Sequence, residues 1–336
     1  MRKFILRRLC FGVIVLLGVI VITFILTRVI PSDPAAKWVG PRATPEQIAK
    51  ATVDLGLDQP LYVQFWRYLT DILQGNLGNS LRTRQPITSE LAANLPATLE
   101  LVLISTLAAI LIGIPLGVVS AHYKGKMIDH LSRLFSVGVV SLPTFWIALI
   151  LQLIFFRILG VMPMGGQLST GVKLMMDVPS ITGFITIDSL LAGNLTVFLD
   201  ALWHLILPGF TIAMYPIGLV ARMTRSALLE ILGEDYITAA RSYGLPNSTV
   251  LWSYALKNSV GPTSTVVALS IGYTLVNTFL TEAIFAWPGI GSYISTAVIG
   301  LDYPAIMGVT IFSTVAYVIL NMIADIIIAL DPRVRV

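Results

Sequence analysis

Six apolar runs, each close to the length of a bilayer-spanning helix, decide what this chain can fold into. They lie at about 9–30, 98–121, 134–157, 201–222, 259–284 and 305–330. A hydrocarbon core ~30 Å thick calls for roughly 20 apolar residues in helical form. Lipid offers no water to an unpaired amide, so a helix that bonds its own backbone is the economical way to cross. Charged residues make up only 12% of the 336, against about 25% in an ordinary soluble domain. The expected fold class is therefore all-α integral membrane, with six transmembrane helices.

The first run follows a basic start, Arg2, Lys3, Arg7 and Arg8. A cleaved secretory signal is the competing reading. The run exceeds the roughly 7–15 residues of a signal core, and no A-x-A-like site follows it. The single cysteine, Cys10, offers no partner for a disulfide within the chain. A net charge of +4 would hint at nucleic acid in a soluble protein. Here the basic residues gather at the ends of apolar runs and act as orientation signals, so no nucleic-acid partner is expected.

Six spans place both termini on one side, and Arg333 and Arg335 at the end match the basic start. The connection after the second span adds Lys124, Lys126 and Arg133, and the fourth connection adds Arg222, Arg225, Arg241 and Lys257. By the positive-inside rule these face the cytoplasm. The expected organisation is a first transmembrane helix at 1–30, an extracytoplasmic segment at 31–97, and a permease domain at 98–330. That domain carries an external insert at 158–200 and a cytoplasmic loop at 223–258. Lys37, Arg42, Lys50, Arg67, Arg82 and Arg84 lie in the first external segment, but long loops translocate largely regardless of charge.

The external segments carry local signals of their own. Thr44-Pro45-Glu46 predicts a capped helix start, and Gln64 to Gln74 carries an aromatic-apolar stripe ahead of Gly75 and Gly78. Ile181 to Leu191 is apolar but too short to span, which makes it a packed external or re-entrant insert. Within the spans, Gly113 and Gly117 form a small-xxx-small pair, and Pro115, Pro143, Pro208 and Pro216 permit kinks.

Catalytic chemistry finds no support, and no catalytic or metal-binding residue is expected. There is no G-x-x-x-x-G-K-[ST] phosphate loop, no H-E-x-x-H and no G-x-S-x-G. His122, His130 and His204 are scattered, and Asp129 and His130 are expected in a solvated turn. Ionisable residues in or near spans are Arg28, Glu100, Glu282 and Asp325. The first two can reach the interface, while a charge deep in a span costs roughly 2.5–3.5 kcal/mol on insertion scales. Glu282 ends a helix on which Ser270, Tyr273, Thr274, Asn277, Thr278 and Thr281 recur at spacings of three and four. That stripe either lines a path or makes hydrogen-bonded helix packing.

The most informative stretch is Gly233 to Pro246. Glu234 and Asp235 suit a helix N-terminus, Gly244 a C-terminal cap, and Pro246 ends continuation. The expected helix, Glu234 to Tyr243, puts Tyr236, Ala240 and Tyr243 on one face. Being too short to be stable alone, it docks either on its own chain or on a partner.

Glu234-Asp235-Tyr236, Ala239-Ala240-Arg241 and Gly244 resemble the EAA loop of bacterial ABC importer permeases. The resemblance covers nearly the whole chain and is closest to the dipeptide and oligopeptide branch. It is carried further by Phe4-Ile5-Leu6-Arg7-Arg8, by Leu55-Gly56-Leu57-Asp58-Gln59-Pro60 with Gly75-Asn76-Leu77-Gly78, and by Glu282 with Trp287-Pro288-Gly289-Ile290-Gly291. The insert from Thr182-Gly183-Phe184 to Ile187-Asp188 is similar to that of dipeptide permeases. Gly261-Pro262 departs from the pattern, since relatives tend to carry a bulkier residue before that proline.

The resemblance implies a type I ABC importer permease fold in the inner (cytoplasmic) membrane. It also implies a second homologous permease subunit, two cytoplasmic ATPases that bind ATP and magnesium, and an extracytoplasmic solute-binding protein. No cofactor is expected in this chain. By the same likeness Glu234, Asp235, Tyr236, Ala239, Ala240, Arg241 and Gly244 couple to an ATPase. The polar stripe offers Tyr273, Asn277, Thr278, Thr281 and Glu282 as candidates for the substrate path. Sister systems for nickel, glutathione or oligosaccharide share the architecture. A stand-alone secondary transporter or channel is the reading from a different class, and it calls for a pseudo-symmetric repeat that the sequence does not display.

Overall fold

The computed structural model describes residues 2–29, 34–40 and 42–330. Arg333 and Arg335 lie outside these, and of Arg2, Lys3 and Arg28 only the backbone is described. The helices are α1 (Arg2–Val29), α2 (Pro34–Val39), α3 (Pro45–Asp54), α4 (Leu61–Leu73), α5 (Ile87–His122), α6 (Met127–Ser141), α7 (Thr144–Ile158) and α8 (Thr170–Met175). They continue with α9 (Ile185–Leu191), α10 (Leu195–Ile231), α11 (Asp235–Ser242), α12 (Asn247–Asn277), α13 (Phe279–Ile284), α14 (Ile290–Ile299) and α15 (Tyr303–Leu330).

Five of these, α1, α5, α10, α12 and α15, are long and apolar enough to cross a membrane. The expected third span is different. It is a pair of helices, α6 and α7, that meet at 104°. The break falls at Leu142, extended at φ −88° and ψ 138°, just before Pro143. A proline ring clashes with a helical residue ahead of it, which drives that residue out of the α region. Pro115 is accommodated instead: a π-helical turn over Ala109–Gly113 precedes it, the kind of adjustment that re-satisfies freed backbone groups. The fifth apolar run also divides, at Thr278, into α12 and α13.

Chain contacts separate into two units. Among the described residues, one comprises Pro96–Gly291 and 317–330; the other comprises Arg2–Leu95 and Ser292–Ala316. In this grouping by contacts, Ser292–Ala316 falls with residues 2–95. The expectation placed that stretch in the permease domain.

In the larger unit α10 is the central helix and packs on α5, α6, α7, α9 and α12. Glycines make the closest approaches. A Cβ on Gly117 would lie 2.6 Å from the Ala221 carbonyl oxygen and 2.7 Å from Thr224 Cβ, and one on Gly113 3.0 Å from the Ile217 carbonyl. The small-xxx-small pair is therefore the seat of α10. Where the sequence suggested a solvated turn, Asp129 is only 1% exposed, though His130 is exposed. Asp129 accepts two bonds from Arg225, Nε at 2.7 Å and Nη2 at 2.8 Å. It accepts two more, from Ser120 Oγ at 2.7 Å and the Gly125 amide at 2.9 Å. The partner that buries it lies 96 residues away, beyond any local pattern.

The insert is folded around Asp188 in the same unit. Its carboxylate accepts from the amides of Ile181, Thr182 and Gly183 and from the Thr182 hydroxyl, at 2.6–3.1 Å. Burial pushes this carboxyl upward, but those hydrogen bonds outweigh it and hold it below the usual aspartate value. Nearby, Thr186 donates to Glu100 through both its amide and its hydroxyl, so Glu100 is an interior acceptor.

The smaller unit holds the expected capped helix start at Thr44, and the structure closes it as a capping box with Gln47. Gln47 N donates to Thr44 Oγ1 at 3.3 Å, and Thr44 N to Gln47 Oε1 at 3.0 Å. Helix α4 covers the aromatic-apolar stripe, and Gly75 and Gly78 follow with φ of 80° and 82°. Asp302, 1% exposed, accepts from Ser80 Oγ at 2.5 Å and from the amides of Leu81 and Arg82 at 3.1 Å.

Candidate functional site

Helix α11 spans Asp235–Ser242, with Glu234 at its N-cap and Tyr243 at its C-cap. Gly244 follows in the left-handed region, at φ 79°. Its amide bonds the Arg241 carbonyl at 2.9 Å, and Leu245 N bonds the Ala240 carbonyl at 3.3 Å, which closes the helix as a left-handed C′ residue does. A Cβ on Gly244 would meet nothing within 4 Å, so the requirement is conformational and not steric.

The helix docks on its own chain. Ile237 and Ala240, 0% and 7% exposed, join Val118 and Ala121 of α5, Leu228 of α10, and Val250 and Ala255 of α12 in one apolar cluster. Spacing alone put Ala240 with the two tyrosines. Tertiary packing instead seats Ala240 beside Ile237 and leaves Tyr236 41% and Tyr243 87% exposed. Ile237, the deepest residue of the helix, escaped the sequence reading, although its three-residue spacing from Ala240 is the signal that would have found it. Glu234, Asp235, Ala239, Arg241 and Gly244 are exposed. The Tyr236 hydroxyl accepts from Asn258 Nδ2 at 2.9 Å, which ties the outer face back to α12. A cavity of about 300 Å³ opens beside the helix, lined by His122, Lys124, Arg241 and Asn247 among others.

The polar stripe of α12 divides in two. Ser270, Thr274, Thr278 and Thr281 are at most 3% exposed. Tyr273 and Asn277, one position back from Thr274 and Thr278, are exposed. Tyr273 stacks on Tyr215 of α10 with ring centroids 4.3 Å apart. The periodicity was real but broad, and the boundary between packing and exposure runs through it.

Glu282 belongs to the buried half. It is 0% exposed and accepts from Thr98 Oγ1 at 2.8 Å and from the Gly291 amide at 2.7 Å. Thr98 Oγ1 in turn accepts from the Ile290 amide at 2.8 Å, and Trp287 Nε1 donates to the Ala97 carbonyl at 2.9 Å. A Cβ on Gly289 would come 2.5 Å from Thr98 Oγ1, and one on Gly291 2.5 Å from Phe279 Cα. The run Trp287-Pro288-Gly289-Ile290-Gly291 is thus a loop wound around a carboxylate, with glycine where the backbone closes on it.

Among the described residues no group of three His, Cys, Asp or Glu is placed to hold a metal ion. What the arrangement offers is mechanical: a short helix rigidly seated on three long ones, its outer surface open. The helices that seat it are long and apolar enough to cross a membrane, so the class is an integral membrane protein of helical bundle type. The chain belongs to the family described as binding-protein-dependent transport system inner membrane component, whose signature matches residues 113–336, and the N-terminal signature of the same systems matches residues 1–102. It is a multi-pass inner-membrane protein.

Its relatives extend over the whole chain. The probable D,D-dipeptide transport system permease protein of Escherichia coli (strain K12) is 45% identical over 98% of this chain and 97% of its own length. The di/tripeptide transport system permease protein of Pseudomonas aeruginosa (strain UCBPP-PA14) is 41% identical over 100% and 99%. The glutathione transport system permease protein of Salmonella paratyphi A (strain ATCC 9150 / SARB42) is 32% identical over 100% and 99%. Among solved structures, a chain of the inward-facing MetNI methionine ABC transporter matches with a TM-score of 0.55 at 16% identity, over 73% of this chain and 97% of that one. The likeness establishes the type I permease fold.

Proposed function

We propose that this chain is the permease subunit of an ABC importer for short peptides, dipeptides first among them, and that α11 carries the stroke of ATP hydrolysis from partner subunits. The observation that carries the reading is the two-faced seating of α11: Ile237 and Ala240 in the core, Tyr236, Ala239, Arg241 and Tyr243 exposed. Two cytoplasmic ATPases holding ATP and magnesium would engage that outer face. A second permease subunit would complete the path, and an extracytoplasmic binding protein would deliver the solute. The names of relatives at 41–45% identity support the peptide.

In this reading both termini and the 223–258 loop are cytoplasmic, which the basic residues of those segments support. Exposed Tyr273 and Asn277 face the solute, while Thr278, Thr281 and Glu282 hold the wall behind them.

The test is uptake of a labelled dipeptide into vesicles holding this permease, its companion permease, the ATPases and the binding protein, with nickel and glutathione as competing cargo. ATP-dependent dipeptide uptake is expected. Flux through this chain alone, without ATPases, would instead make it a secondary transporter. Orientation is read with Cys10→Ser and single cysteines at the exposed positions Lys50 or Asn247: an impermeant thiol reagent outside should reach the first and not the second.

A further inference from the structure

Three helices of the larger unit line a small, partly open chamber outside the coupling helix and the stripe. A cavity of about 190 Å³ lies between α5, α6 and α10, lined by Ser120, Ser132, Arg133, Ser136, Arg222, Arg225 and Ser226, with Leu116, Val137 and Ala221 completing its wall. One ordered water needs about 10–15 Å³ by this measure, so there is room for a polyatomic ion. Three arginines and four serines are among the residues that line it.

The charges do not cancel. Arg225 is committed to Asp129 through Nε and Nη2. Among the described residues, Arg133 and Arg222 make no ion pair. Ser132 is 7% exposed and its hydroxyl has no hydrogen-bond partner among them, while Ser136 Oγ is spent on the Ser132 carbonyl. The lining therefore includes two arginines without an ion pair among the described residues, a third with one guanidinium nitrogen left over, and a serine whose hydroxyl is unclaimed. Its frame is tight: Gly117 meets Ala221 and Thr224, and a Cβ on Gly218 would lie 2.8 Å from the Ser136 carbonyl.

We infer that this chamber binds a phosphate group. Arginine forks match tetrahedral oxyanions with paired donors, and serine hydroxyls turn to fit the remaining oxygens. Two sources share this chemistry, the headgroup of an anionic phospholipid and free phosphate. The rim favours the first, since Val137 lines the chamber and Leu134 and Leu131 follow on α6, 52%, 71% and 58% exposed. An apolar face beside a basic headgroup site suits an acyl chain.

The test is native mass spectrometry and binding titration of the purified transporter complex with phosphatidylglycerol, phosphatidylcholine and inorganic phosphate. Phosphatidylglycerol should bind, and Arg133→Gln with Arg222→Gln should weaken it at least tenfold. Ser132→Ala, which keeps every charge, should weaken it about threefold, and Arg157→Gln, at the far end of α7, should not. Competition by inorganic phosphate with equal loss in the variants would make free phosphate the ligand and keep the site. Unchanged phosphatidylglycerol binding in the double variant overturns the proposal. So does loss in the double variant with none in Ser132→Ala, the mark of diffuse charge. Should the double variant fail to assemble, Arg222→Gln alone and Ser132→Ala decide by the same criteria.

Discussion

The Thr98 hydroxyl donates to Glu282 Oε1 at 2.8 Å across 184 residues of sequence, and Thr98 Oγ1 in turn accepts from the Ile290 amide. One side chain thus joins α5, the end of α13 and the loop entering α14. Thr98→Val removes both bonds in a site closed to water. Hydrogen bonds to charged groups contribute about 1.5–3 kcal/mol, so the variant should melt several degrees lower in detergent than the parent. Thr98→Ser should restore most of the loss. An unchanged melting temperature for Thr98→Val would show that the loop is held by other contacts.

Gly289→Ala and Gly291→Ala should each disrupt the same loop by steric overlap. Gly291→Ala is the more severe of the pair to relieve, because its Cβ meets Phe279 backbone 2.5 Å away. Overpacking costs about 1–3 kcal/mol. Limited proteolysis across 282–295 should show faster cleavage in both variants.

The salt link between Asp129 and Arg225 predicts an asymmetric pair of results. Asp129→Asn strands the guanidinium and should cost about 3–5 kcal/mol, the range for breaking a buried pair. Replacing both residues, Asp129→Asn with Arg225→Met, should recover part of that stability. A double-mutant cycle by thermal unfolding in detergent measures the coupling, and strict additivity would contradict the geometry.

On α11, core and outer positions should separate. Ala240→Trp cannot fit beside Ile237 and Leu228 and should displace the helix, with loss of both stability and uptake. Tyr243→Ala, at an 87% exposed position, should leave melting unchanged while it uncouples hydrolysis from uptake in reconstituted vesicles. If Tyr243→Ala transports like the parent, the exposed tyrosine is not part of the ATPase contact.

The insert should loosen in acid. Asp188 is held below the ordinary aspartate value, so its contribution is complete above that value, ~3.9, and is lost as pH falls through it toward the lower folded value. Hydrogen exchange of the Ile181, Thr182 and Gly183 amides should accelerate in that window. Asp188→Asn should flatten the dependence.

Legibility followed the range of the interaction. The helix at Asp235–Ser242, its glycine cap and the capped helix start at Thr44 are readable, because each rests on contacts within five residues. The break at Pro143 was permitted by the sequence but not required by it, since Pro208 and Pro216 sit inside α10 without ending it.

By itself the sequence determined that the chain is a helical membrane protein, which long apolar segments are candidates to cross, and where the helix at Asp235–Ser242 begins and ends. Those properties follow from backbone hydrogen bonding in lipid and from periodicity between near neighbours. Only the tertiary structure decided that Glu282 is sealed beneath Thr98 and that Asp129 is paired with Arg225 rather than wet. It also decided that Ala240 points inward while Tyr236 and Tyr243 do not. The physical reason is that a polar side chain is buried or exposed according to what meets it, and its partners lie 96 and 184 residues away, where no local pattern reaches.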